Sequence, residues 1–234
     1  MRQVLYVFGK EFRGYFVSPV AYIVIAIFLL VTGWFFFSTF FLFNQADLRN
    51  FFSLLPFMFA FVIPAVTMRL FSEEMKLGSY EVLMTLPVTL RQVVLGKFLA
   101  AVAVVIAMLV PTLAYPLTVS LLGELDWGPV FGGYLGAVLL GGAFAAVGVF
   151  ASSLTRNQIV AFIVGVAICF LLALLDRMLF FMPPQVLGVV SALGVENHFR
   201  NITKGILDSR DVLYFLSVAF IGLYAAHLSM QEKC

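Results

Sequence analysis

Two histidines, His198 and His227, and two cysteines, Cys169 and Cys234, are the only imidazole and thiol groups in this chain. Metal and dithiol sites need such groups in tight spacings, C-x-x-C or H-E-x-x-H, and neither spacing occurs. Nor is there a G-x-x-x-x-G-K-[ST] stretch, whose backbone amides would cradle phosphates. Ser18, Ser152 and Ser153 have no histidine or acid partner at the same depth in the spans drawn below, as a nucleophile would require. The sequence therefore offers no catalytic residue, no metal ligand and no cofactor site of its own. A net charge of +2 is too small for a nucleic-acid partner. Cys169 lies inside an apolar run and Cys234 at the end, too far apart in depth for a disulfide.

The elements that hold these groups are set by hydropathy. Of 234 residues, 63% are hydrophobic and 11% charged, and the mean hydropathy is +1.08. A soluble domain of this size needs more polar surface. Six apolar runs reach spanning length: 19–43, 51–70, 93–122, 130–154, 158–175 and 212–230. We expect one all-α membrane domain over 1–234. Pro111 and Pro116 predict a kink or early end in the third span. The stretch 180–211 holds VLGVVSALG, too short to span, and reads as a re-entrant or interfacial helical segment. Even span number puts both termini on one side, with nine Lys and Arg against five on the other. The positive-inside rule then makes that side the cytosol and 180–211 extracytoplasmic. Membrane lipids are the surrounding partner. Segment 1–17 reads as a basic amphipathic helix on the cytosolic face: Val4, Phe8, Phe12 and Tyr15 share one side, with Arg2, Lys10 and Arg13 elsewhere.

The remaining chemistry is charge in an odd place. FSEEMKLGSYEVLMTLPVTLRQVVLGK, 71–97, interrupts the apolar chain. Ser72 is a candidate cap for a helix with Glu73 and Glu74 in its first turn, where negative charge suits the dipole. Gly78 is a joint. Ser79 is a second cap candidate, for a short helix carrying Tyr80, Glu81, Leu83, Met84 and Leu86 and ended by Pro87. Arg91 and Lys97 mark the return to the membrane. The residues alone leave a solvated connector open beside a docking handle.

The pattern E-E-x-x-x-G-S-x-E-x-L-x-T-L-P-V, 73–88, after the second of six spans, resembles the type-2 ABC exporter permeases, above all the gliding-motility and nitrous-oxide-reductase-maturation types. The tail ENHFRNITKGILDSRDVLYFLSVAFIGLY, 196–224, is similar to the end of the same permeases. The resemblance implies that 72–90 is a coupling loop received by a separate cytosolic ABC ATPase subunit, through Glu73, Glu74, Gly78, Ser79, Glu81, Leu83, Leu86 and Pro87. It implies that 1–17 is a connecting helix, with Phe8, Lys10, Phe12 and Arg13 near the ATPase. ATP and Mg would sit on that partner, and the permease would work as a homodimer or related heterodimer.

The first two spans are rich in aromatics. Trp34, Phe37 and Phe41 are candidates for a pathway wall or dimer surface beside ordinary lipid-facing bulk. The resemblance implies that the first and fifth spans build much of the dimer contact, and Ala161 and Gly165 offer close approach in the fifth. The fourth span, with Gly132, Gly136, Gly141, Gly142 and Gly148, invites close helix packing, by default within one subunit. Export is the expected direction. The alternative is a mechanotransmitting anchor whose 180–211 segment drives a periplasmic partner without transport.

Overall fold

Inside a bilayer every backbone N–H and C=O must find its partner within the chain, so an apolar chain of this kind becomes helices. The computed structural model describes residues 2–43, 47–79, 88–178 and 192–233, and among them there is no strand. The order is α1 (Arg2–Val17), α2 (Pro19–Phe43), α3 (Arg49–Thr67), α4 (Arg69–Leu77), α5 (Leu90–Leu109), α6 (Ala114–Leu122), α7 (Trp127–Leu154), α8 (Gln158–Met178), α9 (Val195–Thr203) and α10 (Ser209–Gln231). Six stretches are long and apolar enough to cross a membrane, as the sequence predicts: 19–40, 49–77, 90–122, 127–154, 158–178 and 209–231.

The glycine-rich α7 is the central post, in contact with α3, α4, α5, α8, α9 and α10. Its small residues work inside the subunit. A Cβ on Gly133 would strike the Phe52 ring, one on Gly148 would strike Thr67, and one on Gly132 would strike the Ile202 carbonyl of α9. Across the α10 contact the small residue comes from the partner helix: a Cβ on Gly222 would stand 2.9 Å from the Ala146 carbonyl carbon. Backbones pack this closely only where side chains are absent.

Two sequence expectations meet the structure directly. The third span does stop early: α5 ends at Leu109, Pro111–Leu113 form one 3-10 turn, and α6 continues. Pro111 has no N–H to extend the ladder. The Ser72 cap, by contrast, is not there. Only Met68 separates α3 from α4, and its φ −52°, ψ −30° are still helical. The polar stretch therefore begins as an extension of the second span. Ser72 sits mid-helix and its hydroxyl donates back to the Met68 carbonyl. Glu73 and Glu74 lie in the middle of α4, away from its first turn. The helix ends where the sequence put the joint, at Gly78, whose φ of +71° is the left-handed cap that favours glycine. The second short helix expected over 79–86 falls almost wholly on residues 80–87, and the first part of the segment 180–211 on residues 179–191, outside the described set; the rest of that segment holds α9 and the start of α10.

Candidate functional site

At the end of the bundle holding both termini, α1 lies against α5. Its inward stripe is Val4, Val7, Phe8, Glu11, Phe12 and Tyr15, while Arg2, Lys10 and Arg13 face out. The approach is close because residue 96 is glycine: a Cβ there would stand 2.7 Å from Val7. Phe8, Phe12 and Phe16 stack in series, with centroids 5.7 and 4.9 Å apart. Glu11 is the anomaly, a carboxylate in an apolar stripe.

Its partner is Lys97, seven residues into α5 and only 1% exposed. The Lys97 Nζ lies 3.0 Å from Glu11 Oε1 and 2.9 Å from Glu74 Oε2 of α4. It also donates to the Leu70 carbonyl at 2.7 Å and stands 5.1 Å from the centre of the Phe71 ring. Lys10 approaches Glu74 Oε1 from the rim at 3.3 Å. Two ammonium groups and two carboxylates thus balance, and a buried charge persists only when so paired. The cluster ties α1, α4 and α5 at one point.

Two further contacts fix α4. Tyr15 donates its hydroxyl to the Val66 carbonyl at 2.9 Å, and burial pushes its pKa up, so it stays a neutral donor. The Arg69 guanidinium covers the Tyr15 ring at 5.1 Å and donates to Ser18 Oγ at 3.3 Å. From α7, Ser152 Oγ accepts the amides of Phe71 and Ser72 at 2.9 and 3.1 Å. It donates to the Met68 carbonyl at 2.8 Å. One hydroxyl from another helix thus satisfies the backbone groups exposed at the α3–α4 junction. Lys233 closes the lower end of α7, donating to the Ser153 and Leu154 carbonyls at 2.6 and 3.0 Å. Desolvation, with Arg156 nearby, holds its pKa below the usual lysine range.

Beside the cluster a cleft of about 240 Å³ opens between α1 and α4, lined by Lys10, Gly14, Arg69, Glu73, Leu77 and Ser79 among others. Leu77 is 72% exposed at its edge. This arrangement joins three helices at one point and presents a polar lip beside them. Among the described residues no group of three metal-ligating side chains occurs.

The family model described as ABC-2 family transporter protein matches residues 5–203. The chain belongs to this family. It is accordingly a multi-pass membrane component of an ABC transporter, a class that works with an ABC ATPase, usually as a dimer, and is generally not catalytic itself. No curated protein is matched. Among the described residues this ABC-2 permease has four of its seven ion pairs where α1 meets the stretch after the second span.

Of the predicted site residues, Glu74, Lys10, Phe8 and Phe12 meet around the cluster, Glu73 and Ser79 line the cleft, and Arg13 is exposed. Glu81, Leu83, Leu86 and Pro87, and the side chain of Phe41, lie outside the described residues. Trp34 is exposed, and Phe37 packs on Phe36 and Tyr115 at 5.2 and 5.7 Å. Ala161 and Gly165 are buried inside the chain, Gly165 against Pro64 and Ala151. Neither is exposed on the surface of the single chain. The outward face of α8 carries Ile159, Ile163 and Leu171 instead. Sequence reasoning missed Glu11, Lys97 and Ser152. For Glu11 a signal existed: it keeps the 3–4 spacing of the apolar stripe, from Val7 and Phe8 to Tyr15. For Lys97, a charge well inside an apolar span should have demanded a partner.

Proposed function

We propose that this chain is the permease subunit of an ABC exporter, and that a separate cytosolic ATPase grips it at the α1–α4 cleft and the 78–90 loop. The observation that carries the reading is the Lys97 cluster. It makes α1, α4 and α5 one body directly behind the segment that resembles a coupling loop. A push on that loop would move three helices together. ATP and Mg act on the partner, and two copies of each subunit form the unit. The likeness to gliding-motility and nitrous-oxide-reductase-maturation permeases supports export.

The test is capture of the cognate ATPase by the full-length permease. Leu77→Asp with Glu73→Lys, and separately Glu81→Lys, are expected to insert normally and to lose about tenfold or more in ATPase capture, because disrupting a desolvated interface charge costs about 2–5 kcal/mol. Undiminished capture and transport by both variants would make this stretch a mere connector. Orientation has its own test. Cysteines placed at Asp47 and Asp126 should react with an impermeant thiol reagent on intact cells, and cysteines at Ser79 and Gln231 only after lysis. The basis is the nine-to-five basic asymmetry. Labelling of Ser79→Cys from outside would place the loop away from any cytosolic ATPase.

A further inference from the structure

At the end of the bundle opposite the termini, a pocket of about 370 Å³ lies between the start of α3 and the outer side of α9. Its apolar wall is Pro56 and the buried Phe199. Its rim carries Arg49, Arg200 and Lys204. The acids nearby do not balance these cations. Glu196 is committed to Arg177, both oxygens accepting from the guanidinium at 3.0 and 3.1 Å. Asp47 reaches Arg49 only at 3.9 Å, in an exposed and monodentate contact. Arg200 and Lys204 form no ion pair among the described residues.

The pocket thus has an apolar wall and three cations around it, two of them uncommitted. Its level in the bundle is informative. Arg49 is the first residue of the second span, so the rim sits where hydrocarbon gives way to headgroups. The pocket volume lies within the range that holds small ligands. Ser53, whose hydroxyl proton is given to the Asn50 carbonyl at 2.9 Å, turns only its oxygen lone pairs and methylene toward a ligand. The cations must therefore supply the recognition, and they select an anion.

We infer that this pocket holds the phosphate headgroup of an anionic phospholipid, with Arg49, Arg200 and Lys204 around the phosphate and the acyl chains leaving along Pro56. Guanidinium groups suit phosphate oxygens, which they meet in paired hydrogen bonds. The site does not depend on which face of the membrane it occupies, nor on the ATPase reading.

The experiment titrates the detergent-solubilised full-length chain with phosphatidylglycerol or phosphatidylcholine and counts retained lipid by native mass spectrometry. Phosphatidylglycerol should be retained in preference to phosphatidylcholine. R49Q/R200Q/K204Q should weaken phosphatidylglycerol retention by about fivefold for each cation removed and leave phosphatidylcholine unchanged. R49K/R200K/K204R, which keeps all three charges and exchanges two guanidinium groups for one, should hold the lipid better than the neutral variant and less well than the parent. R200E alone, at an exposed position, gives the same reading if the triple variant folds poorly; circular dichroism checks folding. Millimolar inorganic phosphate should fail to displace the lipid, because it lacks the apolar part. Retention unchanged in the neutral variants overturns the assignment. So does full displacement by inorganic phosphate, which would make this a site for a soluble anion.

Discussion

Lys97→Met should destabilise the protein by about 3 kcal/mol or more and release α1 from the bundle. Methionine matches the length of the lysine stem, so packing against Phe71 survives. What is lost is the buried cation that lies within 3.0 Å of Glu11 and of the inner oxygen of Glu74; the exposed Lys10, at 3.8 and 3.3 Å from the same two carboxylates, replaces it only in part. Removing one member of a buried ion pair strands its partners and costs about 3–5 kcal/mol. Glu11 and Glu74 keep 16% and 14% side-chain exposure, and water offsets part of that, which sets the lower end of the range. Neutralising both acids as well, in Lys97→Met with Glu11→Gln and Glu74→Gln, should restore most of the stability, because no buried charge is then left unpaired and Lys10, which loses its partners, is exposed to water. Thermal unfolding in detergent reads the first effect, and protease cleavage near Ser18 reads the release of α1. A single variant as stable as the parent, with α1 still protected, would show that the cluster contributes nothing to holding the three helices.

Ser152→Ala is the second large effect, about 1–3 kcal/mol from the loss of one oxygen. The hydroxyl is fully buried and accepts two amides while donating to a carbonyl. Alanine leaves the Phe71 N–H, in the first turn of α4, without an acceptor, and a buried unsatisfied group costs about 1–3 kcal/mol. Ser72, the fourth residue of α4, keeps the Met68 carbonyl as its intrahelical acceptor, so the loss falls mainly on Phe71. Hydrogen exchange should quicken at the start of α4 before anywhere else in the second span. Ser152→Thr, which keeps the oxygen, should protect those amides. Equal exchange in the alanine variant and the parent would mean that the junction is held by the α3–α4 ladder alone.

How much of this was legible in the sequence follows from the kind of signal each feature leaves. The six spans are visible because each is a run of apolar residues long enough to cross hydrocarbon. The break at Pro111 is visible because proline removes a donor wherever it stands. The Gly78 cap is visible for a similar local reason. The continuity of α3 into α4 is not, because polar residues in 69–77 suggest an end to the span when they mark only its emergence from the apolar core. Ser72 was misread on those grounds. Lys97, Glu11 and Ser152 come from three helices separated by up to 141 positions (11 to 152). No local pattern pairs them. Ala161 and Gly165 show the same limit: small residues announce close packing, and the fold alone decides that Pro64 and Ala151 lie on the other side.

The contrast between α5–α6 and α7 bears on stiffness. The third span is jointed at its 3-10 turn, where Pro111 supplies no N–H to the ladder. The 28 residues of α7 run unbroken, about 42 Å at 1.5 Å per residue, with Pro129 confined to the first turn. One end of that strut is fastened to α4 through Ser152 and the other abuts α9 through Gly132. A displacement of α4 would therefore be carried to α9 along one uninterrupted helix.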